Sequence, residues 1–476
     1  MENFWDYSVW GTLLLVASLL LSLLVGNVLK KNVPFLRNSL VPTSVLGGMI
    51  LLIVSVIYSA ITGENIFNSQ IFGGNGISVL EIITYHALAI GFIGQALKIS
   101  DKKMTKQRSK EIFDSGVTTV STYLLQAIFG LGITMLIALF MTEFFSAAGI
   151  LLPFGYGQGT GQALNYGNIY ETDYGFVGGK SFGLTIAALG FLSASIGGVI
   201  YLGIQKKRGK IKFSQMKDGV LFSQQIEKPE EVPMNGSMDK LTIQIAFIAL
   251  VYAITYALMY GLGLLLPGMR ATIYGFNFLF GVLIAAGFKA LMNLFRKKGV
   301  VKKQYTNNFL LTRISNFAFD IMIVAGIAAI QMNLLKDYWW ILLLLGIVGL
   351  VITFIYNLIV AKTLFKDYQN EQFVAMYGML TGTASTGIML LREIDGEFKT
   401  PAADNLVYQT LPAIVFGFPM MLLATLAPKN PLLTFGILVA FFIVMNLILF
   451  RSKIFKKKSS SKEVVANNSE NQSVNV

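Results

Sequence analysis

The sequence predicts an all-α polytopic membrane protein: two inverted five-span repeats, each with a re-entrant hairpin, plus an extra C-terminal span. Three observations predict it. Of 476 residues, 54% are hydrophobic and only 13% charged, with a mean hydropathy of +0.63, whereas soluble domains carry roughly 25% charged residues. Apolar runs recur along the whole chain, each about the 20 residues that cross a hydrocarbon core of about 30 Å. Two shorter apolar segments, one per half, are dense in Gly and hydroxyl residues: Phe154-Gly155-Tyr156-Gly157-Gln158-Gly159-Thr160-Gly161-Gln162 and Thr381-Gly382-Thr383-Ala384-Ser385-Thr386-Gly387.

Span one, about Val9 to Leu29, follows Met1-Glu2-Asn3-Phe4-Trp5-Asp6, which shows neither a basic leader nor a small-residue cleavage site, so a retained span is expected. Lys30, Lys31 and Arg37 follow it and set that end in the cytoplasm by the positive-inside rule, leaving the N-terminus outside. Span two (about Leu40 to Ala60) leads to an external loop with Glu64. Span three (about Ile77 to Leu97) ends at Lys98, Lys102, Lys103, Lys106, Arg108 and Lys110, and span four (about Val117 to Phe140) returns to Glu143. The apolar part of the next segment, Phe145 to Phe154, is half a span long, which predicts a hairpin over about 145–175 that enters and leaves by one face. Span five (about Ser181 to Leu202) meets Lys206, Lys207, Arg208, Lys210 and Lys212.

A polar cytoplasmic linker, 205–240, separates the first repeat, 1–204, from the second, 241–428. In the second, spans six to nine are about Leu241 to Leu265, Ile273 to Leu294, Phe309 to Gln331 and Trp339 to Val360. A hairpin over about 373–400 precedes span ten, about Leu406 to Ala427. An additional span at 429–452 ends on basic residues, and the Ser/Asn-rich tail, 453–476, is expected to be disordered and cytoplasmic. Because five is odd, the second copy is inverted, the geometry of inverted-repeat transporters. Leu36-Arg37-Asn38-Ser39-Leu40 before span two and Met269-Arg270-Ala271-Thr272-Ile273 before span seven echo one another, as do Gly91 and Gly94 in span three and Gly326, Ala328 and Ala329 in span eight.

The net charge of +13 lies in short loops between apolar runs rather than on one basic face, so it reads as membrane topology and not as a nucleic-acid surface. With no Cys, disulfides and thiolate chemistry are excluded, and with one His a histidine metal site is not expected. No cofactor is expected.

In this order the motifs resemble the bacterial sodium/glutamate symporter family. The resemblance rests on Tyr156-Gly157-Gln158-Gly159-Thr160-Gly161-Gln162-Ala163, on Val41-Pro42 with Gly47-Gly48, and on Ser195-Ile196-Gly197-Gly198, and it runs from span one to span ten. It implies two inverted five-span domains with Gly-rich re-entrant loops, Na⁺ as the coupling ion, glutamate as substrate, the bacterial inner membrane and a homodimer. Gln158 stands where the family commonly has His. Gly382 to Gly387 replaces a more Gly-rich, Pro-containing second loop, and the eleventh span goes beyond the family core.

The candidate substrate and ion site comprises Gly157, Gln158, Gly159, Thr160 and Gly161 with Thr381, Gly382, Thr383, Ala384, Ser385, Thr386 and Gly387. Alternating Gly lets main chain approach a ligand and exposes its N–H groups. Thr, Ser and Gln add small donors and acceptors. Half-helix N-termini at the midplane favour an anion, and broken-helix carbonyls suit Na⁺, whose individual ligands the sequence leaves open. Close helix packing through small residues is the competing reading. Three charges could couple to transport. Asp320, in span eight, is either an ion ligand or half of an ion pair with Arg313, seven residues earlier. Arg392 either pairs with a substrate carboxylate or anchors the hairpin at the interface. Glu81 and His86 lie in the outer half of span three, where His86 is a proton site or a satisfied interfacial His. Glu171, Asp173, Glu393, Asp395 and Glu397 are expected in water. Neither loop is a phosphate or dinucleotide motif, and no hydrolase or metalloprotease pattern occurs, so an enzyme is not expected.

The functional expectation is Na⁺-coupled symport of glutamate or a similar anionic amino acid by alternating access. Transport of another carboxylate or amino acid is the alternative within that class. A channel filtered by the two loops is the alternative outside it.

Overall fold

Ten helices of the structure, a computed structural model describing residues 3–99, 105–211, 231–234, 238–396 and 399–454, are long and apolar enough to cross a membrane. They point to a multi-pass membrane protein. Most of the expected linker (212–230 and 235–237), Glu397 and the tail from 455 onward lie outside the described residues. Among the described residues all regular structure is helical, with one isolated bridge between Glu231 and Gln304.

In chain order the main helices are α1 (Tyr7–Asn32), α2 (Thr43–Thr62), α3 (Gly76–Leu97), α4 (Lys106–Ala138), α5 (Leu151–Tyr174), α6 (Gly179–Lys207), α7 (Lys240–Leu265), α8 (Asn277–Lys297), α9 (Asn308–Ala328), α10 (Trp339–Leu364), α11 (Gln369–Leu380), α12 (Ala384–Arg392), α13 (Ala402–Tyr408), α14 (Thr410–Leu426) and α15 (Pro431–Leu449). Local chemistry sets their ends. Thr105, Asp239 and Asn307 cap α4, α7 and α9 by accepting first-turn N–H groups. Lys30 and Lys31 occupy the last turn of α1, where a cation meets the negative end of the helix. The two echoed segments fold alike, as short helices Pro34–Asn38 and Arg270–Gly275 leading into α2 and toward α8.

Two departures from the expected spans have simple causes. The fourth span starts at Lys106 rather than near Val117 and runs 33 residues, because Thr105 supplies a cap well outside the apolar run. The expected tenth span is not straight: α13 and α14 meet at 52°. Pro412 follows directly, and a proline lacks the N–H and crowds the preceding turn, which favours a bend there, although α14 itself runs on through Pro419.

The helices sort into two bundles. One contains α1, α2, α3, α7, α8 and α9; the other contains α4, α5, α6 and α10 to α15. Contacts correspond across the halves of the chain: α2 lies against α9 as α8 lies against α3, while α3 and α9 pair at the centre. Small residues make that pairing close. A Cβ on Gly91 would fall 2.5 Å from the Phe319 ring and one on Gly94 would fall 2.4 Å from Ser315 Oγ, which is how helices associate where apolar burial gives no net drive.

The outer faces of α1, α2, α7, α10 and α15 are largely apolar and exposed. The middle of α4 is polar and buried. There Thr118, Thr119 and Thr122 donate to carbonyls one turn back, satisfying hydroxyls that have no water. The bundles meet chiefly along α5, which touches α3, α9 and Arg270–Gly275.

Candidate functional site

Gly159 breaks α5. Its φ of 77° and ψ of −168° lie outside the helical region, in territory that only glycine enters cheaply. The chain reverses there: the rings of Phe154 and Tyr166 stack at 3.9 Å and 14°, whereas twelve residues of continuous helix would separate them by about 18 Å. Between α11 and α12 the helix stops over Thr381, Gly382 and Thr383, and the arms again lie side by side, since a Cβ on Gly387 would fall 2.3 Å from the Ala375 carbonyl.

The two breaks touch. A Cβ on Gly159 would lie 3.3 Å from Thr383 Cγ2 and 3.6 Å from Gly382 O. Both rest on Gly190, near the middle of α6, where a Cβ would lie 2.6 Å from Thr381 O and 3.2 Å from Tyr156 Cα. One turn on, Ser193 holds a tyrosine from each segment: its Oγ pairs with Tyr156 OH at 2.8 Å, and its carbonyl accepts from Tyr377 OH at 2.7 Å. On the other side lies α9, where Thr160 Oγ1 donates to Met322 O at 3.2 Å and Met322 also approaches Gly161.

Polar groups at the breaks are unevenly satisfied. From α4, Tyr123 OH donates to Gly157 O at 2.9 Å, and Gln126 Nε2 donates to Leu380 O at 3.0 Å. One donor thus serves the carbonyl end of each entering arm. The N-terminal end of α12 has no such service: Thr383 makes no side-chain cap, and first-turn N–H groups have no acceptor inside a helix. Among the described residues, Gln158 Nε2 and Gln162 Nε2 are buried donors without a partner, and Gln126 Oε1 is a buried acceptor without one. Thr386 is buried with its hydroxyl 3.4 Å from that of Thr383, whereas Ser385 is half-buried and Ala384 exposed. Thr381 Oγ1 donates back to Tyr377 O.

The structure therefore brings Gly157 to Gly161 together with Thr381 to Gly387, and it leaves the singled-out charges elsewhere. Asp320 lies on the α2 side of α9, with the Ser44 hydroxyl as its polar neighbour. Arg313 is exposed and sits 5.1 Å over the Phe309 ring, and the two form no ion pair among the described residues. Seven residues share a face, but here Arg313 points out of the bundle while Asp320 points in. Arg392 is exposed at the far end of α12, eight residues and about 12 Å of helix from Ala384. His86 pairs through Nδ1 with Tyr252 OH at 2.7 Å.

Two acids expected in water are engaged. Asp395 is buried and accepts from Lys399 N, Thr400 N and Thr400 Oγ1; Glu171 accepts from Lys180 N at 3.1 Å. Burial pushes the Glu393 carboxyl up, and the nearby Lys30 charge pulls it back. Sequence reasoning passed over Gly190, Ser193, Tyr123 and Gln126. Each sits inside an ordinary apolar span, where one small or polar residue carries little signal.

No family model and no curated protein matches the chain.

Proposed function

We infer that the protein is a secondary active transporter, a Na⁺-coupled symporter of glutamate or a similar anionic amino acid working by alternating access in a bacterial inner membrane. The observation that carries the reading is the meeting of two helix breaks on Gly190, half-way along a span, where they face α9 of the other bundle. Non-helical backbone at membrane depth is tolerated where it lines a cavity or is buried in protein, and discontinuous helices at a repeat interface are where such carriers bind substrate.

The balance of polar groups supports an anion. The carbonyl ends at the breaks already have donors in Tyr123 and Gln126, while the N-terminal end of α12 and the Gln158 and Gln162 amides lack acceptors. A carboxylate supplies acceptors and meets the positive end of the helix dipole. The matched contacts of α2 on α9 and α8 on α3 support two inverted repeats of five spans, with α5 and α11–α12 as their re-entrant hairpins and α15 as the added span. Lys30, Lys31, Lys98, Lys206, Lys207, Arg296 and Lys362 lie at or near the same ends of alternate spans. That supports a cytoplasmic basic face with the N-terminus outside. In this reading the bundle carrying both hairpins moves against the other, and the assembly is a homodimer.

The test is uptake of labelled L-glutamate, with a panel of other carboxylates and neutral amino acids, by purified protein in liposomes. Saturable, Na⁺-gradient-dependent uptake with counterflow is expected. Conductance at channel rates without counterflow overturns the carrier reading, and gradient-driven uptake confined to a neutral substrate overturns the anionic one.

A further inference from the structure

The bundle interface is closed at one end and open at the other. At the closed end the second arm of α5, from Thr160, is buried almost throughout. It carries Asn165, whose Nδ2 donates to Gly275 O of the other bundle at 3.1 Å. Beyond it Lys180, at the start of α6, reaches across to Glu81 of α3 at 3.0 Å and back to Glu171 of its own bundle at 3.5 Å. These side chains are roughly a fifth exposed, far enough from bulk water to keep much of their attraction.

At the opposite end α12 presents an open face: Ala384 and Arg392 are exposed, and Ser385, Ile388 and Met389 half-buried. The first bundle reaches it through Lys30 of α1, whose ammonium donates to Val41 O at 2.7 Å and comes within 3.9 Å of Met389 Sδ. Glu393 caps the end of α12, one turn beyond Met389 and on the same face. Among the described residues it makes no ion pair with Lys30.

We propose that Lys180, with Glu81 and Glu171, is a latch holding one end of the bundle interface shut, and that Lys30 and Glu393 form the opposing latch, closed only when the first is open. The inference rests on the two-bundle transport reading. Rigid bundles rocking about the contact of Gly159 and Gly161 with Met322 shorten one end as they lengthen the other. Both latches join side chains of different bundles. Arg451 and Asp114, by contrast, pair at 2.8 Å within one bundle, so their separation does not change in such a motion.

The chain contains no Cys, so spin labels can be placed at will. Labels at Val177 and Met269, exposed positions on opposite bundles near the Lys180 end, report the opening by pulsed electron resonance in liposomes. Wild type should give mainly the short distance. K180M should move the population ratio about tenfold toward a longer one, within the usual range of coupling between two states. Adding K30M to K180M should move it back, because the competing latch is lost too. E81Q, which removes one charge and little volume, serves if K180M does not fold. An unchanged distribution in K180M and E81Q overturns the proposal, and so does a K30M/K180M protein as open as K180M. Substrate is not needed for this measurement. A protein whose distances follow the latches but which transports nothing refutes the transport reading alone, whereas one that transports with fixed distances refutes the latches alone.

Discussion

The two helix breaks are made by different means. In α5 one residue, Gly159, turns the chain with a left-handed φ of 77°, and both arms are buried and joined by the Phe154–Tyr166 stack. Between α11 and α12 three residues share the turn. Gly382 is not among the glycines with positive φ, and the departing arm exposes Ala384. The first break needs glycine for its backbone, the second for its neighbours. In the transport reading proposed above, the first would be a fixed wall of the site, and the second, hydroxyl-rich and exposed at Ala384, would be the half that receives a ligand. Gly190 belongs to both, because each break packs on it.

The largest effect is therefore expected at Gly190, where the two cannot be told apart. In G190V the added carbon meets the Thr381 carbonyl at 2.6 Å and Tyr156 Cα at 3.2 Å, backbone on both sides, so both breaks must shift. A displacement of about 1 Å at a working site costs on the order of a hundredfold. Uptake in liposomes should fall at least that far in a protein that still inserts and runs as a single species on size exclusion. Uptake near wild type would mean that contact between the breaks is packing only.

Substituting the two break glycines separates them. G159A forces a side chain into backbone that is essentially open to glycine alone, at a cost of about 1–3 kcal/mol, and its Cβ would lie 3.3 Å from Thr383 Cγ2. G382A has no such backbone cost; its Cβ would meet the Phe191 ring and Thr386 Oγ1 at 3.0 Å and the Gly378 carbonyl at 3.2 Å, contacts that shifts of a few tenths of an ångström relieve. Thermal unfolding of the purified variants should show G159A clearly destabilised and G382A less so, while uptake drops in both. Equal loss of stability would erase the distinction between a backbone glycine and a packing glycine.

How far this was legible from residues alone follows the same line. Density of Gly and hydroxyl groups is a local signal, so both segments stood out, and their half-span length suggested turning back. Depth along a span is a one-dimensional signal: it picked Asp320 as the deepest acid but could not tell that it looks toward Ser44 of α2 rather than toward the breaks. Gly190 and Ser193 lie in Leu189-Gly190-Phe191-Leu192-Ser193, a stretch like many in apolar spans. Their role appears only when Tyr156 and Tyr377, 221 positions apart, converge on one turn of α6. The bend at Gln409 was within reach, since Pro412 sits inside the run expected to be straight.

The smallest expected effects come from α4, where the comparison is sharpest. Tyr123 serves the carbonyl end of the first break through Gly157 O, and Gln126 serves that of the second through Leu380 O while also donating to Thr353 Oγ1 at 2.8 Å. Y123F keeps the ring and leaves a buried carbonyl unpaired, which costs about 1–3 kcal/mol. Q126L strips a donor from Leu380 O but also removes Oε1, a buried acceptor that is itself unpartnered, so part of the loss is offset and the net destabilisation should be smaller. The functional order should be the reverse, because Gln126 serves the open break and Tyr123 the fixed one. Substrate concentration dependence should then show a higher KM for Q126L with little change in stability, and lower stability for Y123F with KM near wild type. If both variants lose stability and affinity in step, the two breaks act as one rigid unit, and the division between wall and receiving half does not hold.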